Sequence, residues 1–312
     1  MLKTKLKFNS AWLPRLSVVL LFIVFYFWSS GALASTNNLL AIINQAYSII
    51  LICTGAIFVY SFGGLDLSLG SVLAICNVVL TYMILAGVPF VIALIVALLL
   101  GAFSGFMGGF FSRKLHLPPF VVTLCISYIW TGISEYACKD GFMYLPTWFT
   151  SMVNRIGLKI FVLVLFILLS GYLFNYTRFG KYTKTIGGSE VVAKLNGINV
   201  DKYAILAHVL AGFCAAVASV FSLARSGICM PSAGAGLQLD VLVALVLGGV
   251  PITGGYRSRT EAIIFGSLIM ALLTNGLVIC GVNPYAVQGI TGALFIIIVV
   301  PSFIRNREKV LV

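Results

Sequence analysis

The sequence predicts an all-α integral membrane protein of about ten transmembrane helices, in two halves of inverted topology, with both termini in the cytoplasm. Of its 312 residues, 61% are hydrophobic and 9% are charged, and the mean hydropathy is +1.10. A soluble domain is about 45–50% apolar and about 25% charged. The apolar residues form long runs, whereas a membrane β-barrel would show short alternating segments.

Ten apolar segments, each bounded by charged residues, Pro or Gly, predict the membrane spans. They cover residues 16–35, 39–61, 68–87, 89–111, 118–137, 158–176, 204–223, 238–255, 261–280 and 284–303. With the N-terminus inside, sixteen of the 20 Lys and Arg residues lie on the cytoplasmic side. The four that lie outside are Lys139, Arg155, Lys159 and Arg225. This distribution follows the positive-inside rule.

The first span has an alternative interpretation as a cleaved secretory signal. The run that follows the N-terminal lysines ends in Ala32-Leu33-Ala34, which has the pattern of a cleavage site. We favour a retained span, because the run is long for a signal sequence and cleavage would leave an odd number of spans. The net charge of +12 is explained by topology and by anionic lipid headgroups, so we expect membrane lipid and no nucleic acid as partners.

Weak internal similarity indicates a single transmembrane domain that contains two repeats. At an offset of 172 residues, "GLDLSLGSVLAI" from Gly64 matches "GLQLDVLVALVL" from Gly236. Five spans separate the two segments, so the halves would have opposite orientations. The predicted parts are an N-terminal tail with the first span, the first repeat, an outer loop with the sixth span and a cytoplasmic loop, the second repeat and a basic tail, over residues 1–38, 39–137, 138–203, 204–303 and 304–312.

Polar residues within the membrane concentrate in these two equivalent segments. They are Asp66, Ser68, Ser71, Gln238 and Asp240. Carboxylates are costly in a bilayer, and Gly-rich breaks expose helix N-termini, so these residues are candidates to line a path for a polar solute. The alternative, compatible with the first, is that the two Asp residues cap the helices that follow them.

The sequence lacks common motifs of ATP binding and of hydrolytic enzymes. The chain has no G-x-x-x-x-G-K-[ST] phosphate loop, no H-E-x-x-H and no G-x-S-x-G, so we expect neither ATP hydrolysis by this chain nor a cofactor or metal. Cys138 and Cys229 would both lie near the outer surface. Two unpaired thiols are the expectation there, because no Cys-x-x-Cys spacing occurs, and a disulfide is the alternative.

The longest cytoplasmic loop contains a short capped helix. Ser189 is a suitable N-cap, Glu190 lies in the first turn, and Gly197 suits the left-handed position after the last turn. Val191 and Leu195 share one apolar face. This face packs either on the protein's own helix ends or in a groove of a soluble partner.

Four stretches carry a family resemblance: "FGGLDLSLGSVLA", "TRFGKYTKTIGGSEVVAKLNGINVDK", "LQLDVLVALVLGGVPITGG" and "NGLVICGVNP". They resemble permease subunits of ribose-type bacterial ABC importers. The resemblance implies a ten-span inner-membrane permease that works as a dimer with a cytoplasmic ATP-binding subunit and an extracytoplasmic solute-binding protein. It also implies that the loop couples to the ATPase, through Gly187, Gly188, Glu190, Val191, Ala193, Leu195 and Gly197.

The sequence therefore favours an importer permease for a small neutral solute, a ribose-like pentose or a hexose, with autoinducer-2 as the alternative within the family. Tyr256 and Arg257 stand where the resembling permeases tend towards small residues, which leaves the particular sugar open. The alternatives from other classes are an ion-coupled secondary carrier that uses Asp66 and Asp240 as proton sites, and an integral-membrane enzyme.

Overall fold

A computed structural model describes residues 12–139, 141–230 and 232–307, and in these ranges the chain is almost entirely helical. The predicted cytoplasmic tails at residues 1–11 and 308–312 lie outside the described residues. The described helices are α1 Leu13–Trp28, α2 Thr36–Ser61, α3 Leu69–Leu85, α4 Phe90–Lys114, α5 Pro119–Ala137, α6 Thr147–Val153, α7 Ile156–Tyr176, α8 Arg178–Gly188, α9 Glu190–Leu195, α10 Val200–Ser226, α11 Leu237–Leu247, α12 Glu261–Ile279 and α13 Pro284–Arg307. Ala32–Ala34 forms a 3₁₀ turn, and the strands β1 Met143–Tyr144 and β2 Ile228–Cys229 pair antiparallel.

Each of the ten predicted segments contains a helix, so the all-α membrane class is confirmed. Within the described ranges six helices are long and apolar enough to cross a membrane, namely α2, α4, α5, α7, α10 and α12. The helices α1, α3 and α11 are apolar but shorter.

The predicted span at 238–255 differs most from the structure, because its helix α11 ends at Leu247. Eleven residues of helix extend only about 16 Å, roughly half of the hydrocarbon thickness. Gly248 and Gly249 follow, the latter with φ +104°, and Pro251 comes two residues later. These residues stop the helix, because Gly takes the left-handed conformation easily and Pro cannot continue the backbone ladder.

Helix α8 is a second departure, since the sequence analysis treated residues 178–188 as loop. The segment has no apolar run that would indicate a span. Its buried residues Gly180, Thr183 and Ile186 recur every three positions, the spacing of one helical face. A hydrogen-bonded α8 therefore lies directly before the short helix that was predicted at α9.

The core is built around α2 and α10, which are the most buried of the long helices. Helix α10 packs on α2, α3 and α4, and small residues allow the close approach. A side chain at Gly55 of α2 would overlap the backbone of α10 at Leu210, and Gly101 of α4 lies equally close to Gly212. Small residues at such crossings are typical of membrane helix packing, because they let backbones touch.

The helix contacts repeat between the two predicted halves. Helix α4 packs on α3 and α10, and its counterpart α12 packs on α11 and α2. If α2, α3 and α4 of the first half correspond to α10, α11 and α12 of the second, the contacts of α4 with α3 and α10 correspond to those of α12 with α11 and α2. A pseudo-two-fold relation between the halves would produce this pattern.

Contacts between loops define two ends of the bundle. At the first, which we call the α9 end, Arg15 pairs with Glu261 at 2.8 Å, and the Gly255 amide donates to the Ser61 carbonyl at 2.8 Å. At the second, the β end, β1 pairs with β2 and Lys159 donates to Asn44. Thus Arg15, which is predicted inside, makes its contact at the α9 end, and Lys159, which is predicted outside, makes its contact at the β end.

Candidate functional site

Two chain breaks lie close together inside the bundle. Residues 62–68 lead from α2 to α3, and the described residues 232–236 lead into α11. Gly70, in the first turn of α3, faces Gly234 so closely that a methyl group on either would overlap the other's carbonyl oxygen. The side-chain oxygen of Gln238 lies against Gly70 as well. The two segments that the internal repeat relates are therefore direct neighbours.

Asp66 is buried and engaged with its own turn. Its Oδ1 accepts hydrogen bonds from the Ser68 amide at 2.9 Å and the Ser68 hydroxyl at 2.6 Å. The Ser71 hydroxyl donates to the Ser68 carbonyl at 2.7 Å. These bonds close the turn before α3, but no side-chain hydrogen bond caps that helix, whose N-cap is Ser68. The capping alternative is therefore wrong for Asp66. It is also wrong for Asp240, which lies within α11 after the N-cap Gly236. Thr123 of α5 supports the same turn by accepting from the Leu67 amide at 3.0 Å.

Asp240, by contrast, lines two neighbouring cavities. One has a volume of about 170 Å³ and is lined by Gln45, Ser48, Ser222, Arg225 and Asp240 among others. The second, of about 320 Å³, shares Gln45 and Asp240 and adds Thr274, Asn275, Gln288 and Thr291. The Gln45 amide donates to the Thr274 hydroxyl at 2.7 Å. Amides, hydroxyls and a carboxylate in this arrangement can bind a hydroxyl-rich solute by hydrogen bonds.

The structure brings only part of the predicted path together. Of the five predicted residues, Asp240 lines both cavities, Gln238 lies at the contact with Gly70, and the three around Asp66 are buried within their turn. Sequence reasoning missed the polar residues of α2, α10, α12 and α13. An inventory of every polar side chain within the spans, rather than of the repeat segments alone, would have found them.

Helix α9 has the predicted caps. The Ser189 hydroxyl accepts from the Val192 amide at 3.3 Å. Gly197 has φ +74°, the left-handed conformation that a residue with a Cβ avoids. Both ends of this six-residue helix are therefore specified locally, which a helix this short needs to persist.

The apolar face of α9 points away from the rest of the chain. Val191 is 68% and Leu195 is 82% exposed. Ala193 is fully buried in a small cluster with Ile186 and Val200. Of the two alternatives for this face, packing on the protein's own helix ends applies to Ala193, and Val191 and Leu195 remain available to a partner. We call Val191, Val192 and Leu195 the α9 face.

Arg113, at the end of α4, ties α9 to α10. It donates to Glu190 at 2.7 Å and to Asp201 at 2.6 Å, while Lys194 pairs with Glu190 at 2.9 Å. The hydrogen bonds from Arg113 and then Lys194 lower the pKa of Glu190 to about 2. A lowered folded-state pKa stabilises the fold above the unfolded value near 4.5, and that contribution is lost as the pH falls towards 2. The attachment of α9 therefore does not weaken between pH 6 and 8.

Gly187 allows the end of α8 to pack directly against the backbone of the bundle. A side chain there would overlap the Ser61 carbonyl oxygen and lie 2.6 Å from the Gly255 nitrogen, whereas one at Gly188 would meet nothing within 4 Å. Tyr256, next to Gly255, is 88% exposed beside this contact. Thus α8, α9 and the loop before α12 form one continuous surface at the α9 end.

The described ranges contain no group of three or more His, Cys, Asp or Glu residues able to hold a metal ion.

Comparison with known proteins identifies the class. Residues 38–299 match the family described as branched-chain amino acid transport system / permease component. The chain belongs to this permease family. The ribose import permease protein RbsC of Escherichia coli (strain K12) is 30% identical over 97% of both chains.

Further relatives are named for other sugars. The D-allose transport system permease protein AlsC of Escherichia coli (strain K12) is 31% identical over 84% of this chain and 82% of its own. The fructose import permease protein FrcC of Rhizobium meliloti is 28% identical over 96% and 87%. No solved structure matches. The family match and the permease relatives show that this chain is a multi-pass transport subunit of the permease type and not an enzyme.

Proposed function

We propose that the chain forms the translocation path of a bacterial ABC importer for a monosaccharide. Membership of the permease family and full-length similarity to permeases named for ribose, D-allose and fructose support this solute class. The observation that carries the proposal in the structure is the exposed α9 face, since an importer permease without its own ATPase needs a surface on which one docks.

The solute is a ribose-like pentose or a hexose, with autoinducer-2 as the alternative. The cavities at Asp240 are lined by amides and hydroxyls contributed by Gln45, Ser48 and Thr274, which suits a neutral polyol. A separate binding protein outside the membrane would deliver the solute and contribute much of the selection.

The proposed topology has ten spans in two inverted halves, with both termini in the cytoplasm of a bacterial inner membrane. The repeated helix contacts and the separation of the basic residues between the α9 end and the β end support it. The α9 end is then cytoplasmic. Single cysteines at Arg178 or Arg257, in a cysteine-free background, should resist an impermeant thiol reagent in intact cells, and one at Lys139 should react. Labelling of the cysteine at position 178 from outside would contradict this topology.

In this proposal the broken segments form the moving part of the path. Gly70 and Gly234 hold the two segments in contact, Asp66, Ser68 and Ser71 keep the first turn closed, and Gln238 and Asp240 face the contact and the cavities. Discontinuous helices near the membrane centre are a common way to build such a site.

The coupling surface is the connection from Gly187 to Gly197. Gly187 allows the connection to pack closely against the bundle, and Gly188 has open space beside it. Glu190 is bound by Arg113 through an ion pair. Ala193 is buried beneath α9 and packs the helix on the bundle. Val191 and Leu195 then enter a groove of the ATP-binding subunit, and a second permease copy presents an equivalent helix to the second ATPase.

The test is assembly. The permease, ATP-binding subunit and sugar-loaded binding protein should co-purify, and the loaded binding protein should stimulate ATP hydrolysis in nanodiscs. An ATP hydrolysis rate that does not depend on the presence of this chain would contradict the proposal.

An ion-coupled carrier remains the second candidate, because Asp240 faces a cavity as a proton site would. This alternative predicts uptake by this chain alone, driven by a pH gradient.

A further inference from the structure

Two opposite charges line the smaller of the two cavities, which has a volume of about 170 Å³. Arg225 belongs to the last turn of α10, and Asp240 belongs to the first turn of α11. None of the ion pairs among the described residues joins the two side chains. A cation and an anion thus face one small space from different helices without neutralising each other.

The side chains of Arg225 and Asp240 are also without a hydrogen bond to any group in the ranges that the structure describes. By contrast, the buried Asp66 accepts from Ser68, and Arg113 forms two ion pairs. A guanidinium has five N–H donors, and a carboxylate accepts through two oxygens. Because unsatisfied charges are costly away from bulk water, these open groups indicate that the cavity holds water or a polar ligand.

Neutral polar groups line the same cavity beside the two charges. Gln45 and Ser48, three positions apart on α2, both face it, and Ser222 faces it from α10. Amides and hydroxyls can donate and accept hydrogen bonds. Ile49 and Leu73 line another part of the cavity, where they would contact the C–H groups of a sugar ring. The lining therefore offers hydrogen bonds of both kinds and a small apolar area.

We propose that Arg225 recognises the solute: it donates hydrogen bonds to the hydroxyl oxygens of a polyol, and hydroxyl groups of the same polyol donate to Asp240. The inference rests on the proposed importer function and specifies how the solute is held. Because each hydroxyl both donates and accepts, a molecule with neighbouring hydroxyls satisfies a guanidinium and a carboxylate together without carrying a charge. The polyol replaces water that makes the same bonds in the unloaded cavity.

A zwitterionic amino acid is the other solute that two separated opposite charges would fit, with its carboxylate at Arg225 and its ammonium at Asp240. The neutral lining favours the polyol, because Gln45, Ser48 and Ser222 would lose hydrogen bonds beside an aliphatic side chain. A solute with a net charge is disfavoured, since it would bring a like charge near one of the two protein groups.

The test measures protection of the cavity by solute in the full-length permease. Ser222→Cys places a thiol in the cavity lining, and Ser48→Cys gives a second probe on α2. The protein is studied in nanodiscs, where both faces are accessible whatever the topology. Modification at the introduced position by a small hydrophilic thiol reagent is followed by mass spectrometry of its peptide, while D-ribose, D-allose, D-fructose or L-leucine is titrated.

We expect at least one of the three sugars to slow modification, and L-leucine to have no effect. Adding Arg225→Gln should raise the sugar concentration for half-protection by roughly tenfold or more, because charge-assisted hydrogen bonds are lost. Arg225→Lys should give an intermediate value, since Lys keeps the charge but has three donors instead of five. Absence of protection by every sugar, or protection by L-leucine alone, would overturn the inference.

Arg155→Gln is the matched control, because Arg155 precedes α7 and does not line the cavity. It should leave protection unchanged. Equal weakening by Arg155→Gln and Arg225→Gln, or weakening that follows the melting temperatures of the variants, would also overturn the inference.

ATP hydrolysis reports the proposed function separately. If loaded binding protein stimulates hydrolysis by the wild-type assembly while Arg225→Gln leaves protection unchanged, the role of Arg225 is wrong and the importer function stands. If that stimulation is absent as well, both are wrong.

Discussion

Replacing Leu195 with Asp tests whether the α9 face enters a groove of the ATP-binding subunit. Leu195 is 82% exposed in the chain alone, and full burial of a Leu side chain is worth about 1.5–3 kcal/mol. Covering the exposed part would therefore contribute about 1.2–2.5 kcal/mol to docking. One factor of ten in affinity corresponds to about 1.4 kcal/mol, so Leu195→Ala should weaken docking by at most roughly sevenfold to sixtyfold.

Leu195→Asp should weaken docking further, because its carboxylate would lose water in an apolar groove at a cost of several kcal/mol unless it finds a partner. We expect a loss of more than about a hundredfold. The folded permease should be little affected, since exposed positions tolerate substitution within about 0.5 kcal/mol, apart from a small penalty for an acid in the last turn.

The assay is binding of the purified ATP-binding subunit to permease in nanodiscs, with membrane insertion and melting temperature measured in parallel. Thr185→Asp is the matched control, because it adds a carboxylate at an exposed position of α8 outside the α9 face. Unchanged binding by Leu195→Asp would show that the face does not dock, and an equal loss in Thr185→Asp would show a general charge effect.

Three more predictions concern other parts of the α9 end and of the path. Gly187→Ala should lower the melting temperature, because its methyl group would displace backbone at α2 and at the loop before α12, whereas Gly188→Ala should be neutral; equal stabilities would contradict the packing argument. Arg113→Gln should leave insertion intact but increase hydrogen exchange in α9, since its two ion pairs are lost; unchanged exchange would contradict its positioning role. Asp240→Asn should reduce ATP-driven uptake more than Asp66→Asn does, because only Asp240 lines the cavities, and an amide keeps one acceptor for the buried turn; the reverse order in an uptake assay would contradict the assignment.

Much of the fold follows from local sequence signals. The predicted span at 118–137 agrees with α5 at Pro119–Ala137, because Pro118 and Pro119 fix where the helix starts and its apolar run fixes where it ends. The caps of α9 were also predictable, since Ser189 and Gly197 act through bonds to nearby residues.

Other features depend on distant contacts and could not be read from local patterns. Helix α8 has no apolar run and is helical because Gly180, Thr183 and Ile186 find a surface to bury against. The cavities join residues of α2, α10, α11, α12 and α13, and no spacing in the sequence specifies which polar groups meet.

Vectorial uptake into proteoliposomes tests the central claim most directly. Vesicles that contain the permease and its ATP-binding subunit, with ATP on the ATPase side and sugar-loaded binding protein on the other, should accumulate radiolabelled ribose, D-allose or fructose without any ion gradient. The same vesicles should lose uptake when Leu195→Asp replaces the wild-type chain. Accumulation by this chain alone under an imposed pH gradient, independent of ATP and of the ATP-binding subunit, would contradict the account.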